Sequence, residues 1–218
     1  VPAYSIAREE PDYYLNMGLT AEAVAKEYEV SRVDQDQFSY NSHQKAINAI
    51  TKGFFKPGIL PVTVEEIYLD EKSKKQKRTY VVDMDEGPRA DTSTEVLAKL
   101  KPAFAANGTV TAGNSSQTSD GAAFVIVMSE KMINELGLKP IARLVACASA
   151  GVHPRIMGIG PVEAVPKVLK QVNMSLSQID LVELNEAFAS QALAVIRKLG
   201  LNQDIVNING GAIALGHP

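Results

Sequence analysis

Apolar residues recur every three to four positions along MGLTAEAVAKEYEV, residues 17–30, and again along SRVDQDQFSYNSHQKAINAITKG, residues 31–53. Both stretches are therefore expected to be helices. Thr20 is the expected cap of the first, with Glu22 in the first turn against the positive end of the helix dipole. Ser31 and Asp34 form a capping-box-like opening for the second, which Gly53 ends and one side of which carries Phe38, Ser42, Ala46, Ala49 and Ile50. The piece before Met17, with two prolines and three tyrosines, is expected to be extended. Residues 59–69 and 79–83 read as strands about the charged run 70–78, DEKSKKQKR. That run is expected to be a solvated hairpin tip, the alternative being a basic lip for an anionic ligand. Thr92 and Glu95 open a short helix that Pro102 ends.

The second half changes pattern. AAFVIVMS at 122–129 and PIARLVACASAGV at 140–152 are nearly continuous apolar runs, the signature of strands covered on both faces. A helix at 130–136 stops at Gly137, and Pro161 suits the first position of another. A strand at 181–184, a helix at 187–199 and a strand at 205–208 follow. Strands alternating with helices predict a mainly parallel α/β sheet, with reacting groups at strand carboxyl ends. Asn185 and His217 lie there.

Composition adds mainly exclusions. The chain has 218 residues, 45% of them hydrophobic, and a net charge of −3, which predicts a globular protein and gives no argument for nucleic acid. No apolar run approaches membrane-spanning length and the first residues lack the form of a signal peptide, so a cytoplasmic location and no membrane partner are expected. The single cysteine, Cys147, excludes an internal disulfide and any cysteine-based metal cluster; no metal is expected. Cys147 itself, inside an apolar run, is expected to be buried and structural.

The candidate chemistry gathers near the C-terminus. Gly210, Gly211 and Gly216 mark tight turns or close approaches, and Pro218 holds His217 in extended backbone. Local chemistry leaves two readings open, because an Asn before a helix is commonly a cap and a loop His commonly a surface residue. The Gly/Ser/Thr/Asn-rich run 107–121 fits both a plain loop and a bed for an extended ligand. His43, on the second helix, is expected to be solvated or partly packed and is given no chemistry.

The wording is more specific than the composition. MGLTAE, SHQKA, AFAANGTVTAGNSSQTSDGAA, MGIGPV, NEAF at 185–188 and GGAIALGHP at 210–218 occur in the order of, and closely resemble, the thiolase family, over essentially the whole chain. The resemblance implies an α/β, thiolase-like layered αβαβα fold, here incomplete, with a loop (insertion) domain. Residues 1–118 would be the loop domain over the coenzyme A site, 119–138 the last strand and helix of the N-terminal half, and 139–218 the start of the C-terminal half.

For the site it implies that His217 activates a nucleophilic cysteine and helps form an oxyanion hole, and that Asn185 holds a water completing that hole. Arg89 would meet the CoA phosphates, Ala112 and Ser116 the pantetheine arm, and Met17, Phe104, Met157 and Phe188 the apolar walls. The reaction implied is thiolytic cleavage of a 3-ketoacyl-CoA to acetyl-CoA and a shortened acyl-CoA, with CoA thioesters as substrates, no covalently bound cofactor and a homo-oligomeric intact enzyme, dimer or tetramer. The family's nucleophile lies upstream of the loop domain and its second catalytic cysteine after the GHP segment. Neither segment is in this sequence, so the chain by itself is expected to be inactive. Asn185 followed by Glu186, where condensing relatives carry histidine, favours a degradative or acetoacetyl-type thiolase. SHQKA favours a 3-ketoacyl-CoA thiolase over an acetoacetyl-CoA thiolase. A non-catalytic CoA-binding or assembly fragment is the alternative from another class.

Overall fold

The computed structural model describes residues 4–218. A short helix α1 (Tyr4–Glu9) and a 3-10 turn (Pro11–Tyr14) replace the expected extended opening, of which residues 1–3 lie outside the described residues. Helix α2 (Met17–Glu27) starts three residues before Thr20, because Asn16 is in extended backbone and its side chain accepts from Gly18 N at 2.8 Å. Thr20 sits one turn inside and donates back to Met17 O. Helix α3 (Arg32–Thr51) opens as expected on Ser31, whose hydroxyl accepts from Asp34 N.

Strands β1 (Val62–Leu69) and β2 (Lys75–Val82) form an antiparallel hairpin. The charged run is only partly its tip. Lys75–Arg78 belong to β2, where Lys77 and Arg78 pair across the ladder with Glu65 and Glu66. Asp70 closes the turn by accepting from the amides of Lys72 and Lys74. The short helix α4 (Thr94–Ala98) is capped by Ser93, one residue after the expected Thr92. Arg32 covers its carboxyl end, donating to Leu97 O and Leu100 O at 2.7 and 3.0 Å.

Helix α5 (Glu130–Leu136) ends at Gly137 in the left-handed region. A 3-10 turn (Pro154–Ile159) leads into α6 (Gly160–Gln171), with Pro161 in its first turn, and α7 (Ala189–Leu199) follows the NEAF segment. The apolar core is helical: Val24 of α2, Val30, Ile159, and Leu193 and Ala194 of α7 pack together, and α7 is buried along most of its length.

The expected parallel sheet is the main correction. Residues 122–129 and 140–152 carry no regular structure and join no sheet, and most of them are exposed: Phe124 is 94% accessible and Ile141 fully so. Cys147 is consequently exposed rather than buried. Of the strands expected at 181–184 and 205–208, only one parallel bridge forms, Val182 with Val206. A run of apolar residues states what surroundings it needs, a hydrogen-bonded neighbour at each edge and a layer on each face. The described residues do not supply them. If this is right, Ile126→Ser changes stability by no more than about 0.5 kcal/mol, as for a surface position, whereas Leu193→Ala costs about 2–5 kcal/mol. Urea unfolding of the two variants measures the contrast.

Candidate active site

The site is built from three chain segments that meet above α3 and α7. The first, residues 107–119, has no regular structure but is anchored by buried side chains. Glu22 of α2 accepts from the amides of Thr109 and Val110, so its carboxylate holds this loop rather than the start of its own helix. Asn114, fully buried, donates to Asp36 of α3 and to Thr109 O. The second segment, 181–188, is laid against the first by Ser116 N to Ala187 O and Ala189 N to Asn114 O, each 2.9 Å. The third, 207–218, contains one helical turn, α8 (Ala212–Leu215), where an extended loop was expected. It returns to the first through Thr118, bridged to His217, and through His217 N donating to Gln117 O at 2.9 Å.

Glu186 joins the second and third segments. Its carboxylate, 2% exposed, accepts from Ser42 Oγ of α3 at 2.6 Å, Asn207 Nδ2 at 2.8 Å and Ile213 N at 3.2 Å. Ser42 Oγ accepts in turn from Gly211 N, and Asn207 bridges both backbone groups of Leu184 at 2.7 Å. Gly211 is required by this close approach, since a Cβ there would collide with the Glu186 carboxylate. Burial pushes the Glu186 carboxyl above its ordinary value, opposed by its donors and by Lys45.

This scaffold brings Asn185 and His217 together at an exposed mouth. Asn185 Nδ2 lies 3.4 Å from His217 Nε2. Asn185 is not a helix cap; Phe188 stands at that position of α7 without a side-chain bond. Either assignment of the amide satisfies the pair, the amine donating to Nε2 or the oxygen accepting from Nε2–H. The two line a cleft of about 760 Å3 together with Ser116, Met17, Met157 and Phe188. Phe104 stands edge-on to Phe188, ring centres 6.0 Å apart.

Three expected site residues lie off this lining: Phe104, which reaches it only through Phe188, Ala112 and Arg89. Ala112 is exposed on the anchored loop, and Arg89 is exposed on the segment after the hairpin. Among the described residues the Arg89 side chain forms no ion pair. Its backbone N donates to His43 Nδ1 at 3.1 Å. His43 is buried rather than solvated, and burial, then the charge of Arg89, holds its imidazole below the ordinary range, in the neutral form that can accept.

Away from its mouth the cleft runs between α6 and α7 past Val165, Leu169, Leu199 and Leu201, beside residues 181–184. Val182 spends both backbone groups on the 205–207 side. An apolar groove accommodates polypeptide as well as ligand, so the chemistry rests on the polar mouth.

No cluster of metal-ligating side chains occurs among the described residues. Glu186, Ser42, Asn207 and Gln117 were not singled out by sequence reasoning for any role in the site. The only signal for Glu186 was a charge at the junction between an apolar strand and an apolar helix, and nothing local points to Ser42, 144 residues earlier.

The chain has known counterparts. The model of the thiolase N-terminal domain matches residues 8–131 and that of the thiolase C-terminal domain residues 138–218. The chain belongs to the thiolase family. It is 52% identical over 217 residues to a 3-ketoacyl-CoA thiolase of Bacillus subtilis (strain 168), covering all of this chain and 56% of that protein. Among solved structures it is similar to the Bacillus anthracis acetyl-CoA acetyltransferase, with TM-score 0.88, 46% identity, and coverage of 94% of this chain and 50% of that one. It is also similar to the dimeric peroxisomal thiolase of Saccharomyces cerevisiae, with TM-score 0.89, 40% identity, and coverage of 100% and 53%. The fold class is thus the α/β thiolase fold, and the chain spans about half the length of these relatives.

Glu186→Gln tests the buried junction. The amide turns an NH2 toward one of three donors, and the variant should lose about 1–3 kcal/mol. The folded-state pKa lies above the ordinary 4.5, so above that pH the folded chain keeps a proton that the unfolded chain releases. The wild-type advantage over Glu186→Gln is therefore full below pH 4.5 and shrinks as pH rises through the folded value. Urea midpoints of both proteins across this range give the sign; an advantage that grows with pH contradicts it.

Proposed function

We propose that this chain carries the histidine and asparagine side of a thiolase active site and the coenzyme A bed beside it, and that the intact protein is an acyl-CoA:CoA acyltransferase of the 3-ketoacyl-CoA thiolase type. The observation that carries the reading is the meeting of Asn185 and His217, 3.4 Å apart, at a cleft mouth with Ser116. In the reaction a cysteine thiolate attacks the 3-keto carbonyl and the bond to the acetyl-CoA portion breaks. Acetyl-CoA leaves with a proton, and the thiol of free CoA then takes the acyl group from the enzyme sulfur, restoring the cysteine. His217 accepts the proton that activates the cysteine. Its Nε2–H and a water held by Asn185 face the oxygen on which negative charge develops. Asn suits that role because it donates without titrating.

Arg89 would meet the phosphates of the nucleotide end with an unpaired guanidinium fork. Ala112 and Ser116 would border the pantetheine arm, with Met17, Phe104, Met157 and Phe188 as apolar walls. On the same reading residues 1–118 form the loop domain over the CoA site, 119–138 close the N-terminal half and 139–218 begin the C-terminal half. We further place the protein in fatty-acid degradation, as a homo-oligomer of the cytoplasm. Two points support this part: the resemblance implies histidine in condensing enzymes where this chain has Asn185, and one of the similar solved structures is described as a dimeric thiolase.

Calorimetry tests the reading on the chain itself. Coenzyme A should bind, and Arg89→Ala should weaken it by about 10-fold, the loss of one charge-assisted contact of roughly 1.5 kcal/mol; absence of heat with the wild type refutes it. When the chain is joined to the flanking cysteine-bearing segments of the Bacillus subtilis relative, Asn185→Ala should lower kcat for acetoacetyl-CoA thiolysis by about 100- to 1000-fold. The unjoined chain should show no turnover.

A further inference from the structure

Gln117 is hydrogen-bonded to both the Arg89 segment and the His217 loop. Its side-chain amide donates to Gly87 O at 3.0 Å and to Ile213 O and Ala214 O at 3.3 Å each. Its own carbonyl accepts from His217 N. The packing behind Gly87 leaves no slack, because a Cβ there would collide with Ala214 O and stand 3.0 Å from Gln117 Nε2. Two residues on, buried His43 pins Arg89 N. The stretch 87–89 has no helix or strand to hold it, so these bonds set where the guanidinium starts.

Resting on the reading that Arg89 meets the nucleotide phosphates and His217 the thioester, we infer that Gln117 is a positioning residue that fixes the separation of these two ends of the ligand bed. A CoA thioester is a two-ended ligand on a flexible arm. Once one end is bound, the other is held at an effective concentration that depends on whether the two sites stay at the spacing the arm can span. A rigid link between the sites keeps that gain. A loose one spreads the spacing and loses it, while each site alone still binds its own end.

The test compares acetyl-CoA with the adenosine bisphosphate that forms the nucleotide end of coenzyme A, both titrated calorimetrically into the chain. Gln117→Met keeps the side-chain volume and the main-chain bond to His217 but removes the three donated bonds. Gly87→Ala keeps Gln117 and wedges the segment away from Ala214. In both variants acetyl-CoA should bind about 10-fold more weakly, with bisphosphate affinity changed by less than about 2-fold. Equal weakening of both ligands, as general loosening of the fold would give, overturns the inference. So does unchanged acetyl-CoA affinity. Failure of the bisphosphate to bind the wild type, or its indifference to Arg89→Ala, overturns the assignment of Arg89 instead and takes the positioning role with it.

Discussion

A buried carboxylate at the junction of three segments is the constraint on which this site depends. Glu186 sits behind the wall from which Asn185 projects, and its three hydrogen bonds come from α3, from the turn at Asn207 and from the first turn of α8. Removing a carboxylate from water is costly unless its lone pairs are filled. The chain is compelled to bring those donors to it, and in doing so brings the segment ending in His217 beside Asn185. Ser42 extends the constraint by receiving Gly211 N, so the glycine-rich turn is held by its backbone and not by side-chain packing.

Helices in the first half supply the foundation. Glu22 and Gln35 hold Thr109 from two different helices, and Asp36 holds Asn114, so the loop 107–119 acts as a rigid strap although it contains no regular secondary structure. The strap then meets the later segments through backbone bonds at Ser116, Ala189 and His217. Loops positioned by a rigid scaffold are where binding and catalysis concentrate. Here the scaffold consists of α2, α3 and α7: α2 and α7 supply buried members of the apolar core, while the buried face of α3 is largely polar, with Gln35, Asp36, Ser39, Ser42 and His43 beside Ala46 and Ala49.

What was legible in the sequence follows from the range of the interactions. The helices at 17–27, 32–51 and 189–199 announce themselves by period, and Ser31 caps its helix by reaching only three residues. Asn16 was passed over because Thr20 has similar chemistry; the apolar pattern cannot distinguish a start from one turn inside. The runs 122–129 and 140–152 advertised burial that this chain does not provide, and with them the expectation for Cys147 failed. Periodicity records an environment the residues suit, not the presence of that environment. Asn185 and His217 were found through the wording of their motifs, and their contact lies across 32 residues that no local rule spans. Glu186 was legible only as the neighbour of Asn185 and Gln117 not at all, because both act through partners far along the chain.

The charge distribution around the mouth bears on the proposed chemistry. An oxyanion is stabilised by donors already pointing at it, in surroundings that need not reorganise, and is opposed by any negative charge nearby. Glu186 is the negative group closest in sequence to Asn185, yet it faces away into Ser42, Asn207 and the Ile213 amide, and burial shifts its carboxyl toward the neutral form. Both effects reduce the field it casts on the mouth. At the mouth itself stand an amide and an imidazole, and the one carboxylate among the cleft-lining residues is that of Glu183, exposed and two residues before Asn185. His217 is restrained by its backbone, through the bridge to Thr118, rather than by bonds to its ring beyond the one Asn185 contact. The imidazole can therefore exchange a proton with a substrate or a sulfur without giving up the bonds that hold it in place, a requirement for a group that serves first as base and then as oxyanion donor.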